Sequence, residues 1–536
     1  MEYAAGLPGV VYAEDNLYTC SQDTQERIRE RIEEYGLNRV VVASCTPRTH
    51  EPLFQETIRG AGLNPHLFEM ANIREQDSWV HRDDPDRATE KAKELVGMAV
   101  AKARRLRPIE HTRFGVDHRA LVIGGGLAGM TAALSIAEQG FGVTLVEREE
   151  ELGGNLRHIY TALPGGGDPQ ALLRRTVEAV LGHRRIRVLT GAEVEVVGGY
   201  VGQYRSVVRL RDGRREEIEH GVVVVATGAQ EIEPREYLYG QDERVITQRE
   251  LEERIAGSGL GSAVCGLRSV VMIQCVGSRD EEHPYCSRVC CTEAIKNALA
   301  IKESSPGTEV YILYRDIRTF GFRERYYREA RREGVVFLEY DVERKPEVWV
   351  DGDVLRVEVE VQPEGEVVRL EADLVVLSAG IEPREGNGVL AQLLKVPLDG
   401  DGFFLEAHVK LRPLEFAAEG VYLCGMAHSP RFLEETIAQA RGAAVRAVTL
   451  LAKEELEATP IVASVNPLLC SNCGQCIEVC PYDARVPEPE KFYVQVIDVL
   501  CQGCGACVAV CPNKASQQKG FEVSQVYGML DAVVEG

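Results

Sequence analysis

Two cysteine runs near the C-terminus constrain what this chain can fold into more than any other feature. Each run has the spacing C-x2-C-x2-C-x3-C and ends in Cys-Pro. In doubled runs of this kind, three thiolates of one run and the fourth thiolate of the other hold each 4Fe–4S cluster. One cluster is therefore predicted on Cys470, Cys473, Cys476 and Cys511. The second cluster is predicted on Cys501, Cys504, Cys507 and Cys480.

Zinc is the alternative ligand for these cysteines, because zinc knuckles also use C-x2-C pairs. The doubled spacing and the prolines that follow the two runs, Pro481 and Pro512, favour iron–sulfur clusters. Gly474, Gly503 and Gly505 are expected to keep the loops free of Cβ crowding around the clusters. The C-terminal segment is therefore predicted to be a two-cluster ferredoxin domain that transfers single electrons.

Composition narrows the class of protein further. The chain has 536 residues and 16 cysteines, and tight groups of thiols in a chain of this size indicate metal ligation in a reducing compartment. The net charge of −22 argues against a nucleic-acid partner, since phosphate binding needs lysine and arginine patches. No apolar run reaches the ~20 residues of a membrane span, and the N-terminus lacks the features of a signal peptide. We therefore expect a cytoplasmic protein with no membrane span.

A glycine-rich turn marks a dinucleotide site. The buried strand Arg119–Ile123 is predicted to lead into Gly124-Gly125-Gly126-Leu127-Ala128-Gly129 and then into an alanine-rich helix. A second strand ends at Glu147, about 20 residues further on, where a carboxylate can accept from ribose hydroxyls. The helix N-terminus stabilises phosphate charge. A purely structural turn is the alternative, since such loops also occur without a ligand.

Several further segments favour FAD over NAD. Gly153-Gly154 follows the acidic strand end, and Thr227-Gly228 follows a buried strand as in two-domain flavoprotein reductases. Gly425 precedes a helix that resembles the one whose N-terminus faces the flavin ring. The predicted FAD-binding residues are Gly124, Gly126, Leu127, Ala128, Gly129, Glu147, Arg148, Gly153, Gly154, Asn155, Leu156, Ala226, Thr227, Gly228 and Gly425.

Four cysteines occupy the place where a reductase of this type would bind NAD(P)H. The strand Val270–Gln274 is followed by Cys275, and then by Cys286, Cys290 and Cys291, with no second G-x-G-x-x-G. The last three are expected at the start of a helix, where thiolate is favoured. A third 4Fe–4S cluster is predicted on these four residues. Buried structural thiols and a redox disulfide are the alternatives.

These motifs together predict the fold. The chain is expected to be an α/β, thioredoxin-reductase-like flavoprotein with two dinucleotide folds, a small N-terminal α/β domain and a C-terminal ferredoxin domain. The predicted parts are 1–115 (N-terminal domain), 116–230 and 381–458 (FAD-binding domain), 231–380 (second dinucleotide fold with the cysteine cluster) and 459–536 (ferredoxin domain). Arg323–Arg332 is interpreted as a solvated helix face, with a docking patch for an acidic carrier as the alternative.

The chain resembles the A subunits of heterodisulfide reductase, the FAD and iron–sulfur subunits of methanogens and their bacterial relatives. The resemblance covers essentially the whole chain, and its most specific mark is QCVGSRD…PYCSRVCC at 274–291. Further marks are ASCTPRTHEPLF at 43–54, GLNPHLFEMANIRE at 62–75 and ELGGNLRHIY at 151–160. The resemblance implies that FAD splits an electron pair, with the cluster on Cys275, Cys286, Cys290 and Cys291 close to it.

The resemblance also implies partners. They are B- and C-like subunits of heterodisulfide reductase, ferredoxin, and an electron-input subunit (hydrogenase, formate dehydrogenase or NADH-linked enzyme), around a homodimeric core.

The chain departs from the family pattern in two respects. Residues 157–220 contain no cysteine, so a second ferredoxin insert is absent there, and Asp77 stands where the family leads us to expect a cysteine ligand. With only Cys20 and Cys45 nearby, an N-terminal cluster is in doubt.

Three functions remain open at this point. The first is an electron-bifurcating or confurcating subunit of a larger complex, in which the flavin supplies the organic chemistry. The second is a self-contained NAD(P)H-dependent flavoprotein oxidoreductase with an appended ferredoxin domain, and the missing glycine loop counts against it. The third is a scaffold in which FAD only relays electrons.

Overall fold

The structure, a computed structural model, describes residues 1–163, 165–258, 266–458, 460–488 and 490–535. The chain divides into two compact units. Residues 1–114 and 455–536 form one of them, and residues 115–454 form the other. Cys265, to which the sequence assigns no role, lies outside the described residues.

The larger unit contains two parallel five-stranded sheets, each with a three-stranded antiparallel sheet inserted in the chain. The first parallel sheet has its strands in the spatial order Val421–Leu423, Val222–Val225, Arg119–Ile123, Gly142–Val146 and Ile186–Leu189. Its antiparallel insert is formed by Ala192–Tyr200, Gln203–Leu210 and Arg215–His220. The central strands are buried on both faces and consist largely of valine, leucine and isoleucine, as parallel strands covered by helices require.

The second sheet repeats this plan. Its strands lie in the spatial order Val245–Thr247, Leu374–Ala379, Ser269–Val276, Glu309–Tyr314 and Val336–Glu339. Its antiparallel insert is formed by Glu347–Asp351, Val354–Val361 and Glu366–Ala372. A short antiparallel pair, Ala229–Glu231 with Ile381–Pro383, is formed by the two segments that connect the sheets. The topology is that of a flavoprotein with two dinucleotide folds, as the sequence predicts.

Helices cover both sheets of the larger unit. Leu127–Glu138 and Leu433–Leu451 are rich in alanine and pack against each other over the first sheet, where small side chains allow close approach. The remaining helices of this unit are Pro169–Gly182, Gln248–Ser258, Cys290–Ser304, Glu324–Arg332 and Asn387–Leu394, with short 3-10 turns at Gly154–His158, Gly321–Arg323 and Gly425–Ala427.

The smaller unit joins the N-terminal segment to the cysteine-rich C-terminal segment. A parallel pair, Val40–Ser44 with Phe68–Asn72, is packed by helices around Phe54 and Ile58. The Lys102 ammonium lies 4.4 Å from the centroid of the Phe521 ring. The helices are Glu2–Ala5, Gln22–Tyr35, Pro47–Gly60, Pro85–Ala103, Gln475–Glu478, Ala506–Ala509 and Val523–Glu535, with a π-helical turn at Arg74–Ser78. The remaining strands are Arg113–Gly115, Glu455–Glu457, Ala463–Val465, Arg485–Pro487, Val494–Val496 and Ser516–Gln518.

Among the described residues, no helix combines the length and the apolar character that crossing a membrane would require.

Candidate flavin and iron–sulfur sites

A cavity of about 1440 Å³ lies in the larger unit at the carboxyl end of the first sheet. The glycine turn forms part of its wall, and the helix Leu127–Glu138 begins there. All predicted FAD-binding residues except Gly129, Gly153 and Gly425 line this cavity. Its position at the carboxyl ends of parallel strands is where open α/β sheets bind their ligands.

Each glycine of the turn is required for a different geometric reason. Gly124 has a φ of +110°, and a Cβ on it would lie 2.2 Å from the Ala226 carbonyl oxygen. A Cβ on Gly129 would lie 1.8 Å from the Gly124 carbonyl oxygen, so this residue packs the helix onto the strand. A Cβ on Gly126 would meet only the Gly154 Cα, at 3.9 Å, so it would point into open cavity space. This open cradle beside a helix N-terminus fits the backbone approach of a pyrophosphate.

Glu147 closes the far side of this turn. Its carboxylate accepts from the Gly125 N–H at 2.5 Å and from the Glu149 N–H at 2.9 Å. The carboxylate is therefore held at the cavity wall with lone pairs left to accept from ribose hydroxyls. Gly425 lies behind the wall, where a Cβ would meet the Ala128 Cβ at 2.7 Å. These residues fit the nucleotide half of FAD.

The second sheet contributes the opposite wall through the helix Cys290–Ser304. Thr292, Glu293 and Lys296 lie on one face of this helix and line the cavity. The Lys296 ammonium donates to the buried Glu252 carboxylate and, at 3.1 Å, to the Thr161 carbonyl oxygen. Burial, followed by the neighbouring Glu293, raises the pKa of Glu231 in the same wall to about 8.

Two cysteines of the predicted third cluster, Cys290 and Cys291, form the first turn of that same helix. Both are buried, as is Cys275 at the end of the strand Ser269–Val276. The four thiols lie close enough to interact electrostatically, since Cys291, Cys275 and Cys286 each raise the pKa of Cys290. The four described cysteines are free thiols rather than disulfides. The structure thus brings together the residues that the sequence grouped.

The prediction for Cys286 was wrong in one respect. The helix begins at Cys290, so Cys286 lies in the preceding loop and gains nothing from the helix N-terminus. The thiol pKa values are also uneven. Hydrogen bonding between Cys290 and Cys291 raises the pKa of Cys290 and lowers that of Cys291. Burial raises the pKa of Cys275.

Arginines supply the positive surroundings that the helix N-terminus does not. Arg279 donates to the Cys275 sulfur at 3.9 Å, and Arg279 and Arg315 both oppose the rise in its pKa. Asp316, and to a smaller extent the nearby Cys286, raise the pKa of the Arg318 guanidinium. Cations near thiols favour the thiolate form that ligates iron. Four thiols that can ligate iron, with three guanidinium groups around them, fit a 4Fe–4S cluster.

The backbone of this loop is strained where the thiols converge. Cys275, Arg279 and Arg288 all have positive φ, at 61°, 60° and 65°. The strand carrying Cys275 also shifts register between Ile273 and Val276. Non-glycine residues in this region cost free energy and cluster at functional sites, and bulges re-aim side chains. The distortion lies at the point of the second sheet where a nucleotide-binding turn would stand.

Seven of the eight C-terminal cysteines lie in two neighbouring groups, and the eighth, Cys504, is exposed. A small cavity is lined by Cys470, Cys473, Cys476 and Cys511, the first three residues of one run and the fourth of the other. Cys480 packs with the buried Cys501 and Cys507 in an adjacent apolar cluster. The Ala463 N–H donates to the Cys501 sulfur and the Ser516 N–H donates to the Cys511 sulfur, each at 3.4 Å.

The loop glycines also have a conformational reason. Gly474 and Gly505 have φ values of +81° and +78° and immediately precede the two short helices. A positive φ of this size favours glycine at both positions. Crowding applies to Gly503, whose Cβ would lie 2.3 Å from the Ile461 carbonyl oxygen.

Among the described residues, no three Cys, His, Asp or Glu side chains form a group that could hold a single metal ion. The N-terminal Cys20 is exposed and Cys45 is half-buried. Asp77 is buried, and its Oδ1 atom has no hydrogen-bond partner within the described ranges.

Sequence reasoning missed several residues of the flavin cavity. Arg323 was interpreted as part of a solvated face, but its guanidinium lies 3.5 Å from the Phe432 ring centroid, pairs with Glu434 and lines the cavity. Burial, followed by the nearby Arg148, lowers the pKa of Arg384 in the cavity wall. Thr292, Glu293 and Lys296 were missed as well, and for these three residues the available signal was their helical spacing after the cysteine pair.

Two family models match parts of this chain, and one solved structure is similar to it in fold. The family model for pyridine nucleotide-disulphide oxidoreductases matches residues 118–259, and the model for 4Fe–4S dicluster domains matches residues 469–515. Thioredoxin reductase from Lactococcus lactis is similar over 63% of this chain and 99% of its own, with 18% identity and a TM-score of 0.45.

Similar proteins extend along nearly the whole chain. The A subunit of the H2:CoB-CoM heterodisulfide,ferredoxin reductase of Methanothermobacter thermautotrophicus is 38% identical, over 90% of this chain and 86% of its own. An iron-sulfur A subunit of the CoB–CoM heterodisulfide reductase of Methanopyrus kandleri is 36% identical, over 100% of this chain and 94% of its own. The A subunit of the H2/formate:CoB-CoM heterodisulfide,ferredoxin reductase of Methanococcus maripaludis is 34% identical, over 99% and 95%.

Proposed function

The chain belongs to the family of heterodisulfide reductase A subunits, and from that premise we propose that it is the flavin-based bifurcating or confurcating component of a multi-subunit complex. It is an oxidoreductase that contains flavin and iron–sulfur clusters. The FAD belongs to the domain of the pyridine nucleotide-disulphide oxidoreductase type, and the 4Fe–4S clusters belong to the C-terminal domain. Its proposed task is to divide an electron pair into two single-electron paths, or to combine two such paths. Bound FAD would supply the exchange between two-electron and one-electron chemistry.

One observation supports this proposal most strongly. A single helix, Cys290–Ser304, carries two of the four clustered thiols in its first turn and lines the flavin cavity with Thr292, Glu293 and Lys296. A one-electron centre on these thiols would lie within one or two helical turns of the cavity. In this chain the thiols occupy the strand end at which a pyridine nucleotide would otherwise bind. We therefore propose Cys275, Cys286, Cys290 and Cys291 as ligands of a third 4Fe–4S cluster.

The chain's own residues divide the work at the cavity. The glycine turn and the helix N-terminus at Leu127 would bind the pyrophosphate, and Glu147 would orient the ribose. The side chain of Lys296 is held at the cavity wall by its hydrogen bond to the Glu252 carboxylate. Val289 and Phe432 contribute apolar surface to the lining of the cavity.

Partners are proposed from the names of the similar proteins. Those names mention hydrogen, formate, ferredoxin and reduced coenzyme F420. We accordingly propose B- and C-like heterodisulfide reductase subunits, an electron-input subunit of the hydrogenase, formate dehydrogenase or NADH-linked type, ferredoxin, a homodimeric core and a cytoplasmic location. Copurification of the tagged chain, followed by identification of the bound subunits, tests this set. A chain that is isolated alone under all gentle conditions would contradict it.

Optical redox titration of the purified protein tests the flavin proposal. A flavin that splits electron pairs takes up both electrons in one two-electron transition, in which a tenfold change in the equilibrium requires about 30 mV. A relay flavin shows two separated one-electron transitions of about 59 mV per tenfold change. Two well-separated transitions would contradict bifurcation. Rapid loss of flavin absorbance on anaerobic mixing with NADH or NADPH alone would instead support a self-contained oxidoreductase.

A further inference from the structure

Arg485 is a buried cation between the two groups of C-terminal cysteines. It begins the strand Arg485–Pro487, and only 3% of its surface is exposed. One guanidinium nitrogen, Nη2, donates to the Cys507 sulfur at 2.8 Å and also to the Ser516 hydroxyl. Arg485 therefore donates directly to a thiol of one proposed cluster, and Cys476 of the other proposed cluster packs in the same apolar group as Cys507.

The counter-charge for this guanidinium is not a carboxylate. No ion pair with Asp or Glu involves Arg485 in the part of the chain that the structure describes. The second nitrogen, Nη1, is buried and has no hydrogen-bond partner within that same part. A buried and unpaired charge costs several kcal/mol, so such a group persists only where something negative compensates it. Thiolates around a 4Fe–4S cluster, together with the cluster sulfides, provide acceptors of that kind.

The position of Arg485 breaks an internal symmetry. The two cysteine runs repeat at a constant offset, and the positive φ angles of Asn472, Gly474 and Asp483 recur at that offset in Gly503, Gly505 and Lys514. The strand pair Arg485–Pro487 with Val494–Val496 corresponds in the same way to Ser516–Gln518 with Ala463–Val465. The counterpart of Arg485 is Ser516. The two halves therefore share a backbone pattern, but at this position one half has a cation that donates to a thiol and the other has a serine whose hydroxyl accepts from that cation.

We propose that Arg485 is a tuning residue that makes the cluster on Cys480, Cys501, Cys504 and Cys507 the more easily reduced of the two C-terminal clusters. Reduction adds one electron to a cluster, and a cation that donates to its ligand sulfur stabilises the added charge. The direct hydrogen bond goes to Cys507, so the effect is largest on the cluster that Cys507 ligates. An electron that enters the domain then rests on that cluster before it leaves. This inference rests on the proposal that both clusters are present, and it is independent of what the flavin does.

Potentiometric titration followed by electron paramagnetic resonance tests the assignment on the full chain. R485M removes the charge with little change in side-chain length, and R485Q keeps a donor without the charge. We expect both variants to lower the reduction potential of one C-terminal cluster by at least about 59 mV. For a one-electron couple this shift is a tenfold change in the reduction equilibrium. R485K is expected to recover part of the shift. In a C473A background, only the C-terminal cluster that Arg485 is proposed to tune remains, and the shift should persist there.

Lys491 offers the matched control, because K491M removes one positive charge from an exposed position of the same domain. We expect K491M to leave both potentials unchanged. Iron-loaded R485M or R485Q with wild-type potentials would overturn the proposal. Failure of R485K to load iron would also overturn it, because that variant keeps the charge and the role would then be one of shape. A flavin titration with two separated transitions would contradict the proposed function and leave this result unaffected.

Discussion

The guanidinium of Arg288 donates two hydrogen bonds to the carboxylate of Glu435, at 2.7 and 2.5 Å. Arg288 lies in the loop between Cys286 and Cys290, and its own N–H donates to the Cys286 sulfur at 3.3 Å. Glu435 lies in the first turn of the helix Leu433–Leu451 and also accepts from the Phe432 N–H at 3.1 Å. This ion pair therefore fastens the cysteine loop to the helix that borders the flavin cavity.

Breaking this ion pair should loosen the cysteine loop. We expect R288M to lower the free energy of unfolding by about 1 kcal/mol, near the low end for a charged hydrogen bond because both side chains are about one-third exposed. It should also speed the loss of iron under chelator. Thermal unfolding and timed iron release measure the two effects. E434Q is the control, since Glu434 pairs with Arg323 and is 66% exposed, and it should change neither quantity to the same degree.

Closing the glycine turn should remove FAD. In G129A, the new Cβ would lie 1.8 Å from the Gly124 carbonyl oxygen, so the helix must move away from the turn that holds the pyrophosphate. We expect FAD affinity to fall at least tenfold, about 1.4 kcal/mol, measured by titrating apoprotein with FAD. G182A is the control, because a Cβ there meets nothing within 4 Å. Equal FAD affinity in the two variants would contradict the placement of the site.

The partly buried carboxyl of Glu231 should make stability depend on pH. Burial raises its pKa from 4.5 to about 8, so the folded protein binds a proton that the unfolded chain has released. This contribution to stability is complete below pH 4.5 and is lost as pH rises through about 8. We expect E231Q to flatten the decline in thermal stability between about pH 5 and pH 9, relative to wild type. E233Q, at an exposed neighbour, should keep the wild-type decline. An unchanged slope in E231Q would count against a protonated Glu231.

The exchange of ligands between the two C-terminal runs can be tested by removing single cysteines. Cys511 lines a cavity with Cys470, Cys473 and Cys476, although it belongs to the other run by sequence. C511A should therefore remove the same paramagnetic signal as C473A, and C504A should remove the other one. Cys424 is buried with no assigned role, so C424A should retain both signals. Loss of the same signal in C511A and C504A would show that each run holds its own cluster.

Much of the framework could be predicted because it follows from local rules. Arg119–Ile123 is a strand with the predicted bounds, since a continuous apolar run before a glycine has few other structures. The cysteine groups were also recognised, because ligand spacing is a property of the sequence alone. The start of the helix at Cys290 was misplaced by about one turn, since nothing in Tyr285–Val289 distinguishes a loop from a first helical turn.

Residues that depend on long-range contacts could not be predicted. Arg323 belongs to a basic segment that is typical of a solvated helix face, and only the approach of Phe432 from a distant segment places it at the cavity. Arg485 is the first residue of a short strand, and a charged residue at such a position is expected to be exposed. Its burial is possible only beside thiols contributed by another part of the fold. In both cases the position of the arginine is determined by a side chain that it contacts in the folded protein, and not by its neighbours in the sequence.

Four thiols lie close to the proposed flavin cavity, and we propose that they hold a third cluster. Iron, sulfide and FAD content of C290A, compared with wild type, tests this claim most directly, with C424A as a buried-cysteine control. We expect C290A to lack one 4Fe–4S cluster while it keeps its FAD and both C-terminal clusters, because Cys290 lies outside the glycine turn and the C-terminal runs. Wild-type iron and sulfide content in C290A would contradict the claim.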